Sequence, residues 1–298
     1  MILILLLYAL CASTFTISKS ALLYTQPLFF IAVRMIGAGC MLGIYYAARV
    51  FLGKELFVFK WRDSFLFAQI ILFHIYITYI CDICALKNLT SIESAFIYNL
   101  SPFIAALLSY WYFAEKITAK KWLGLTIGFC AFIPELYFHG LAMSSSIAPK
   151  LITLIAVISS AYGWIIMRQL VKDRHYSPLF INGVGMLGGG IGALITSWIF
   201  EGYYPPVTQW IPFLNYTALS IVVANIFFYN LYGVLLSRYT ATFLSFAGFL
   251  CPLFTALFGW FFLGEWPSLS LCISSVIAAI GLFIFHQEEL RQGYGAHQ

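Results

Sequence analysis

Long apolar runs, broken at short polar intervals, occupy the chain almost from end to end. Each is close to the roughly 20 residues that an α-helix needs to cross a hydrocarbon layer about 30 Å thick. Reading between the polar breaks predicts spans at 1–18, 27–49, 64–86, 91–113, 121–138, 150–170, 178–200, 213–236, 241–263 and 268–286. Only 50–63 and 201–212 are connections of any substance, and the second carries Pro205, Pro206 and Pro212, which cannot continue a helix. The runs are continuously apolar, whereas strands of a membrane barrel would alternate. Lipid offers no partners to open sheet edges, which leaves a helical bundle. The expected fold is therefore an all-α integral membrane protein of ten transmembrane helices. The N-terminal MILILLLYALCAST has no basic region and no small-residue cleavage pattern, so it reads as the first span and not as a removable signal peptide.

Composition agrees with that pattern. Of 298 residues 62% are hydrophobic and 9% charged, and the mean hydropathy is +0.92. A soluble domain carries about 25% charged residues. The net charge of +5 is a topology signal and not a nucleic-acid footprint, as its placement shows. Arg49, Lys54, Lys60 and Arg62, then Lys116, Lys120 and Lys121, then Arg168, Lys172 and Arg174, then Arg238 and Arg291 fall between alternate spans. The other side holds Lys19, Lys87 and Lys150, and Arg34 lies within a span. Such a positive-inside bias predicts that both termini are cytoplasmic, in a multi-pass inner-membrane protein. The seven cysteines sit in apolar runs, where they act as small hydrophobes.

The chain also repeats itself. LKNLTSIESAFIYNLSPFIAALLSYWYFAE, from position 86, aligns without a gap on LSRYTATFLSFAGFLCPLFTALFGWFFLGE, from position 236. The alignment pairs Thr90 with Thr240, Pro102 with Pro252 and Glu115 with Glu265. PLFFIAVRMIGAG from Pro27 matches PLFINGVGMLGGG from Pro178 at nearly the same offset. Two halves, 1–143 and 144–298, would hold five spans each. An odd number forces them into the membrane with opposite orientation, the architecture of secondary transporters with a substrate site near the midplane.

The stretch ALKNLTSIESAFIYNLSPFIAALLSYWYFAEKITAKKWLGLTIGFCAF resembles the EamA type of the drug/metabolite transporter superfamily. Pro102, Glu115, Lys116, Gly124 and Gly128 stand where that pattern has its mid-helix proline, terminal glutamate, basic turn and following glycines. Pro252, Gly264 and Glu265 repeat it, and Arg34 matches the arginine common in the family's second helix. Ala114 departs from the family's usual glycine, which leaves the local turn geometry open. The resemblance implies alternating access for a small organic metabolite, amino-acid-like or adenosyl-amino-acid-like, with S-adenosylmethionine and S-adenosylhomocysteine as one candidate pair. An exporter of drugs or amino acids is the alternative within the family. Monomer and homodimer both stay open, as do protons and a counter-substrate as coupling partners.

Polar side chains inside apolar spans are the candidate chemistry, because each is expensive there. Arg34 either holds a substrate carboxylate or phosphate through its planar fork, or pairs with an interior acid to fix packing. His74, Thr78 and Asp82 recur every four residues and so share a helix face. Glu93 and Glu135 would add anionic character at the outer mouth. Pro102 and Pro252 are expected to kink their helices, bringing Asn99, Ser101, Gly248 and Cys251 into play as cavity lining. Glu115 and Glu265 read as structural turn residues. Asn225, Tyr229 and Tyr232 share a face of the eighth span, and Trp164 lies in the sixth. The aromatic content of 19% suits stacking on a planar or cationic group.

Other chemistries lack a motif. Cys81-x-x-Cys84 lies within a span and has no second ligand pair, so no metal is expected. The glycines from Gly183 to Gly190 follow no strand and are not a phosphate loop. The sequon at Asn88 reads as chance. No catalytic residues, cofactor or nucleic-acid partner are expected, and the partners are the bilayer and a small molecule. A membrane-embedded enzyme would need clustered acids, histidines or a catalytic motif at the rim.

Overall fold

The computed structural model describes residues 2–86, 97–98, 100–131, 133, 147–202, 205–258 and 269–293. The helices among them are α1 (Ile2–Ala21), α2 (Pro27–Phe51), α3 (64–86), α4 (Ser101–Phe113), α5 (Ala119–Cys130), α6 (Ile147–Asp173), α7 (Pro178–Phe200), α8 (Trp210–Leu236), α9 (241–258) and α10 (Leu269–Arg291). The one β-type contact among the described residues is an isolated antiparallel bridge between Thr25 and Val207. Among the described residues five stretches are long and apolar enough to cross a membrane: Pro27–Phe51, Trp61–Asp82, Ile147–Asp173, Pro178–Phe200 and Trp210–Leu236. The expected spans 91–113, 121–138, 241–263 and 268–286 run partly outside the described residues, so the count of ten stays an expectation of the sequence. The outward faces are apolar; Trp198 is 68% exposed and Phe200 75%. On a soluble protein such a coat would mark an interaction or aggregation surface, and around a lipid-embedded bundle it is the ordinary exterior.

Local sequence explains the helix ends. Pro27 and Pro178 open α2 and α7, where a fixed φ helps and no N–H is missed. Thr118 caps α5 by accepting from the Lys121 amide, and Thr240 does the same for Phe243 at the start of α9. Pro102 and Pro252 stand in the first turn of a helical segment, the second directly after a 3-10 turn over Gly248–Leu250. Pro102 thus opens α4, and Pro252 follows a change of helical pitch within α9. Among the described residues α3, α6 and α8 each contain a π-helical stretch, at Ile70–Ile77, Gln169–Asp173 and Ile221–Phe228, which hydrophobic periodicity did not foretell.

Bare backbone sets a tight contact between α2 and α7. A Cβ at Gly39 would stand 2.7 Å from the Leu187 amide nitrogen and 3.0 Å from the Gly183 carbonyl oxygen; one at Gly190 would stand 2.9 Å from the Ile36 nitrogen. Small residues are how helices approach closely in lipid. At one end of this pair the Glu201 carboxylate accepts from the Leu28 and Phe29 amides, at 2.6 and 2.9 Å, and from the Ser197 hydroxyl. A carboxylate so placed answers both the free amides and the dipole of α2.

Charged pairs close the opposite end. Arg168 of α6 pairs with Glu115, which follows α4, and its guanidinium lies over Phe113 at 4.4 Å. Lys121 of α5 reaches Glu289 of α10 at 3.4 Å, and the Thr240 hydroxyl donates to the same carboxylate. Arg174 pairs with the buried Asp63, which also accepts from the Tyr176 hydroxyl. Ala114, at the C-cap of α4, has φ +50° in the left-handed region, where an L-residue carries a penalty of about 1–2 kcal/mol.

Two outcomes follow in purified, detergent-solubilised protein. Gly39→Leu should lower stability by about 1–3 kcal/mol through overpacking, while Gly43→Ala, whose Cβ would meet nothing within 4 Å, should be neutral. Ala114→Gly should raise stability by about 1 kcal/mol. Thermal unfolding read by intrinsic fluorescence checks both.

Candidate functional site

The polar side chains of α2, α3 and α8 converge with the aromatics of α6. Arg34, 5% exposed, projects from α2 and donates to the Ser18 hydroxyl of α1 at 3.4 Å. Its guanidinium lies 5.1 Å from the Tyr79 ring and 5.4 Å from that of Phe30, in cation–π range. The nitrogen Nε has no hydrogen-bond partner. Tyr79 and Tyr229 share a hydrogen bond of 2.5 Å between hydroxyls, joining α3 to α8. Asp82, one turn beyond Tyr79, is hydrogen-bonded to Tyr98.

Beneath these lies an aromatic box. Trp164 stacks on Tyr232 with centroids 3.7 Å apart and meets Tyr229 at 5.4 Å. His74 stands edge-on to Trp164 at 4.3 Å and to Tyr229 at 5.6 Å. It is buried, and neither ring nitrogen makes a hydrogen bond of good geometry, although the Ser160 backbone lies beside it. The ring rests on Gly163, where any Cβ would fall 2.3 Å from Nδ1. Asn225 is fully buried; its amide donates to the sulfurs of Met35 and Met186 at 3.1 and 3.5 Å, and its Oδ1 has no partner.

His74 and Asn225 are each the fifth residue of a π segment. A π turn widens the helix and is frequent at functional sites, because it redirects a side chain that an α-turn would bury in packing. The same widening lets the Thr78 hydroxyl bond the Phe73 carbonyl, five residues back, at 2.7 Å. Of the expected residues, then, Arg34, His74, Asp82, Trp164, Asn225 and Tyr229 belong to one neighbourhood. The Thr78 hydroxyl is satisfied within its own helix. Glu93, Asn99, Glu135 and Glu265 lie outside the described residues.

Tyr79, Tyr98, Met35 and Met186 were not singled out from the sequence. Tyr79 had a signal, since it stands 150 residues before Tyr229, the offset of the repeat. Met35 and Met186 occupy equivalent places in the two proline-led segments. Chemically, the neighbourhood offers a fixed cation, a carboxylate and stacked aromatic faces, which together suit a zwitterion attached to a planar ring. Among the described residues no three His, Cys, Asp or Glu side chains cluster as metal ligands do.

Comparison with known proteins adds the following. The model of the EamA-like transporter family matches residues 1–133 and again 149–286. A Chlamydia muridarum protein named S-adenosylmethionine/S-adenosylhomocysteine transporter is 34% identical, over 95% of this chain and 90% of its own. A protein of the same name from Chlamydia trachomatis serovar L2 is 33% identical, over 95% and 88%. A crystal structure of a protein 18% identical superposes with a TM-score of 0.75, covering 96% of this chain and 95% of the other, a likeness of fold alone.

The seat of His74 is testable. Gly163→Ala should push the ring away and lower stability by about 1–3 kcal/mol. Adding His74→Ala should recover most of that loss, because the two side chains compete for one space. Unfolding midpoints of the two single variants and the double variant decide it.

Proposed function

This chain belongs to the EamA-like transporter family, and from that premise we propose that it exchanges S-adenosylmethionine for S-adenosylhomocysteine across the membrane by alternating access. It is a multi-pass membrane protein of a transporter family, not of an enzyme family. The observation that carries the substrate reading is the Arg34 guanidinium beside Tyr79 and Tyr229, next to the stacked pair Trp164 and Tyr232. In this reading Arg34 holds the substrate carboxylate, as its fixed charge suits. Asp82 receives the ammonium, and the aromatic box takes the adenine by stacking. The two substrates differ by one methyl group and the sulfonium charge, so both fit the same three anchors. The names of the chlamydial relatives support this pair, and identity of a third spans nearly the whole chain.

The proposal includes ten spans with both termini cytoplasmic, built as inverted halves 1–143 and 144–298. Several contacts follow the repeat offset and support it. Tyr79 meets Tyr229, Met35 and Met186 share Asn225, and the π segments of α3 and α8 begin 151 residues apart. The change of pitch before Pro252 offers a hinge point within α9.

Purified protein in liposomes loaded with S-adenosylhomocysteine should take up labelled S-adenosylmethionine, faster than empty liposomes do. Arg34→Ala should reduce that uptake at least about 30-fold, the equivalent of about 2 kcal/mol for a lost hydrogen bond to a charged group, with normal expression and folding. Wild-type flux in the variant removes Arg34 from the site. Failure of either compound to exchange or accumulate sinks the substrate reading.

A further inference from the structure

A groove of about 480 Å³ runs between the C-terminal half of α2 and the N-terminal half of α7, outside the candidate site. Its walls are Gly43, Tyr46 and Ala47 on one side and Phe180 and Gly183 on the other, with Phe57 reaching in from the following segment. No charged side chain lines it. Its one hydroxyl, on Tyr46, donates to the Leu56 carbonyl at 3.3 Å. The groove is unfilled, since a Cβ on Gly43 would meet nothing within 4 Å, whereas one at Gly39, a turn away, would collide with α7.

The segment beside the groove has a different character. Lys54, Lys60 and Arg62 are exposed, and so are Phe51, Leu56 and Trp61. Its acids are already matched: Glu55 pairs with Arg49 at 3.1 Å, and Asp63 is buried against Arg174 and Tyr176. Exposed cations interleaved with aromatic and aliphatic side chains, at the end of a membrane helix, are what the head-group region selects. Exposed cations on the segment that contributes Phe57 to an apolar slot fit a molecule with an anionic head and a long apolar tail.

We propose that this groove binds one acyl chain of an anionic phospholipid, with Lys54 and Lys60 at its phosphate. A second copy of the chain is the poorer occupant, because a two-fold contact would bring these cations against themselves. The proposal rests on membership of a membrane family and not on the identity of the transported substrate.

The test is native mass spectrometry of the full chain from detergent, with phosphatidylglycerol and phosphatidylcholine of identical chains. Wild type should retain one phosphatidylglycerol through activation and hold phosphatidylcholine at least about fivefold less well. Gly43→Leu, which fills the slot, should cut retention of both lipids to background; Ala47→Leu fills it from a neighbouring position should the first variant fail to fold. Lys54→Gln with Lys60→Gln should bring phosphatidylglycerol down to the level of phosphatidylcholine. Three results overturn the proposal. They are undiminished phosphatidylglycerol on a folded filled-groove variant, equal retention of the two lipids by wild type, and a dimer that the filled groove abolishes.

Discussion

Between helices in lipid the hydrophobic effect supplies no attraction, so a bundle holds together only where surfaces come close enough for dispersion and hydrogen bonds. In this chain that condition is met at α2 and α7, where Gly39 and Gly190 leave backbone against backbone. Much else depends on that approach. Glu201 can reach the amides of Leu28 and Phe29 only because the end of α7 lies beside the start of α2. Met35 and Met186 can share the amide of Asn225 only because their helices are in contact. Arg34 precedes Met35 on the same helix, so its guanidinium is delivered to Tyr79 by a rigid and tightly seated element.

A second consequence concerns where charge is allowed. At the end where α4 meets α5, Arg168, Glu115, Lys121 and Glu289 are all nearly inaccessible, yet each has an opposite charge beside it. Breaking one such pair leaves an uncompensated buried charge, a larger loss than the pair's own net contribution. These pairs join α6 to the end of α4 and α5 to α10, so they would resist separation of the helices at this end. Arg34 is different. It is equally buried, its Nε has no hydrogen-bond partner, and it contacts a hydroxyl and two aromatic rings, with the Asp82 carboxylate acting on it through charge alone. A cation held by such weak partners retains capacity for a carboxylate.

The helices themselves were readable because their punctuation is local. α7 was expected at 178–200 and runs Pro178–Phe200, since a proline opens it and a long apolar stretch fills it. What escaped the sequence was non-local. The π segments arise where a helix adapts to its neighbours, and the apolar runs ILFHIYI and VVANIFF look the same at either pitch. The cations beyond the spans were read as a topology signal, and nothing near Arg168 in sequence names Glu115 as its partner. Tyr79 was lost among many tyrosines that also suit the membrane interface. Ala114 went the other way: its departure from the family's glycine pointed at the turn, and the backbone there is left-handed.

The repeat also explains why the proposed site is lopsided. The place that corresponds to Arg34 in the second proline-led segment is Gly185. A Cβ there would fall 2.8 Å from Cγ2 of Ile70, so α3 leaves no room for a side chain. His74 has an amide, Asn225, as its counterpart in the π segment of α8, and Asp82 stands 150 residues before Tyr232. The charged groups thus lie on the first half and the neutral or aromatic ones on the second. A symmetric frame lets two access states resemble each other in energy, whereas one cation and one carboxylate on the same side of it permit a single substrate orientation. Under alternating access the substrate would therefore keep its pose while the surrounding helices exchange roles, and the anchors need not be rebuilt at each turn of the cycle.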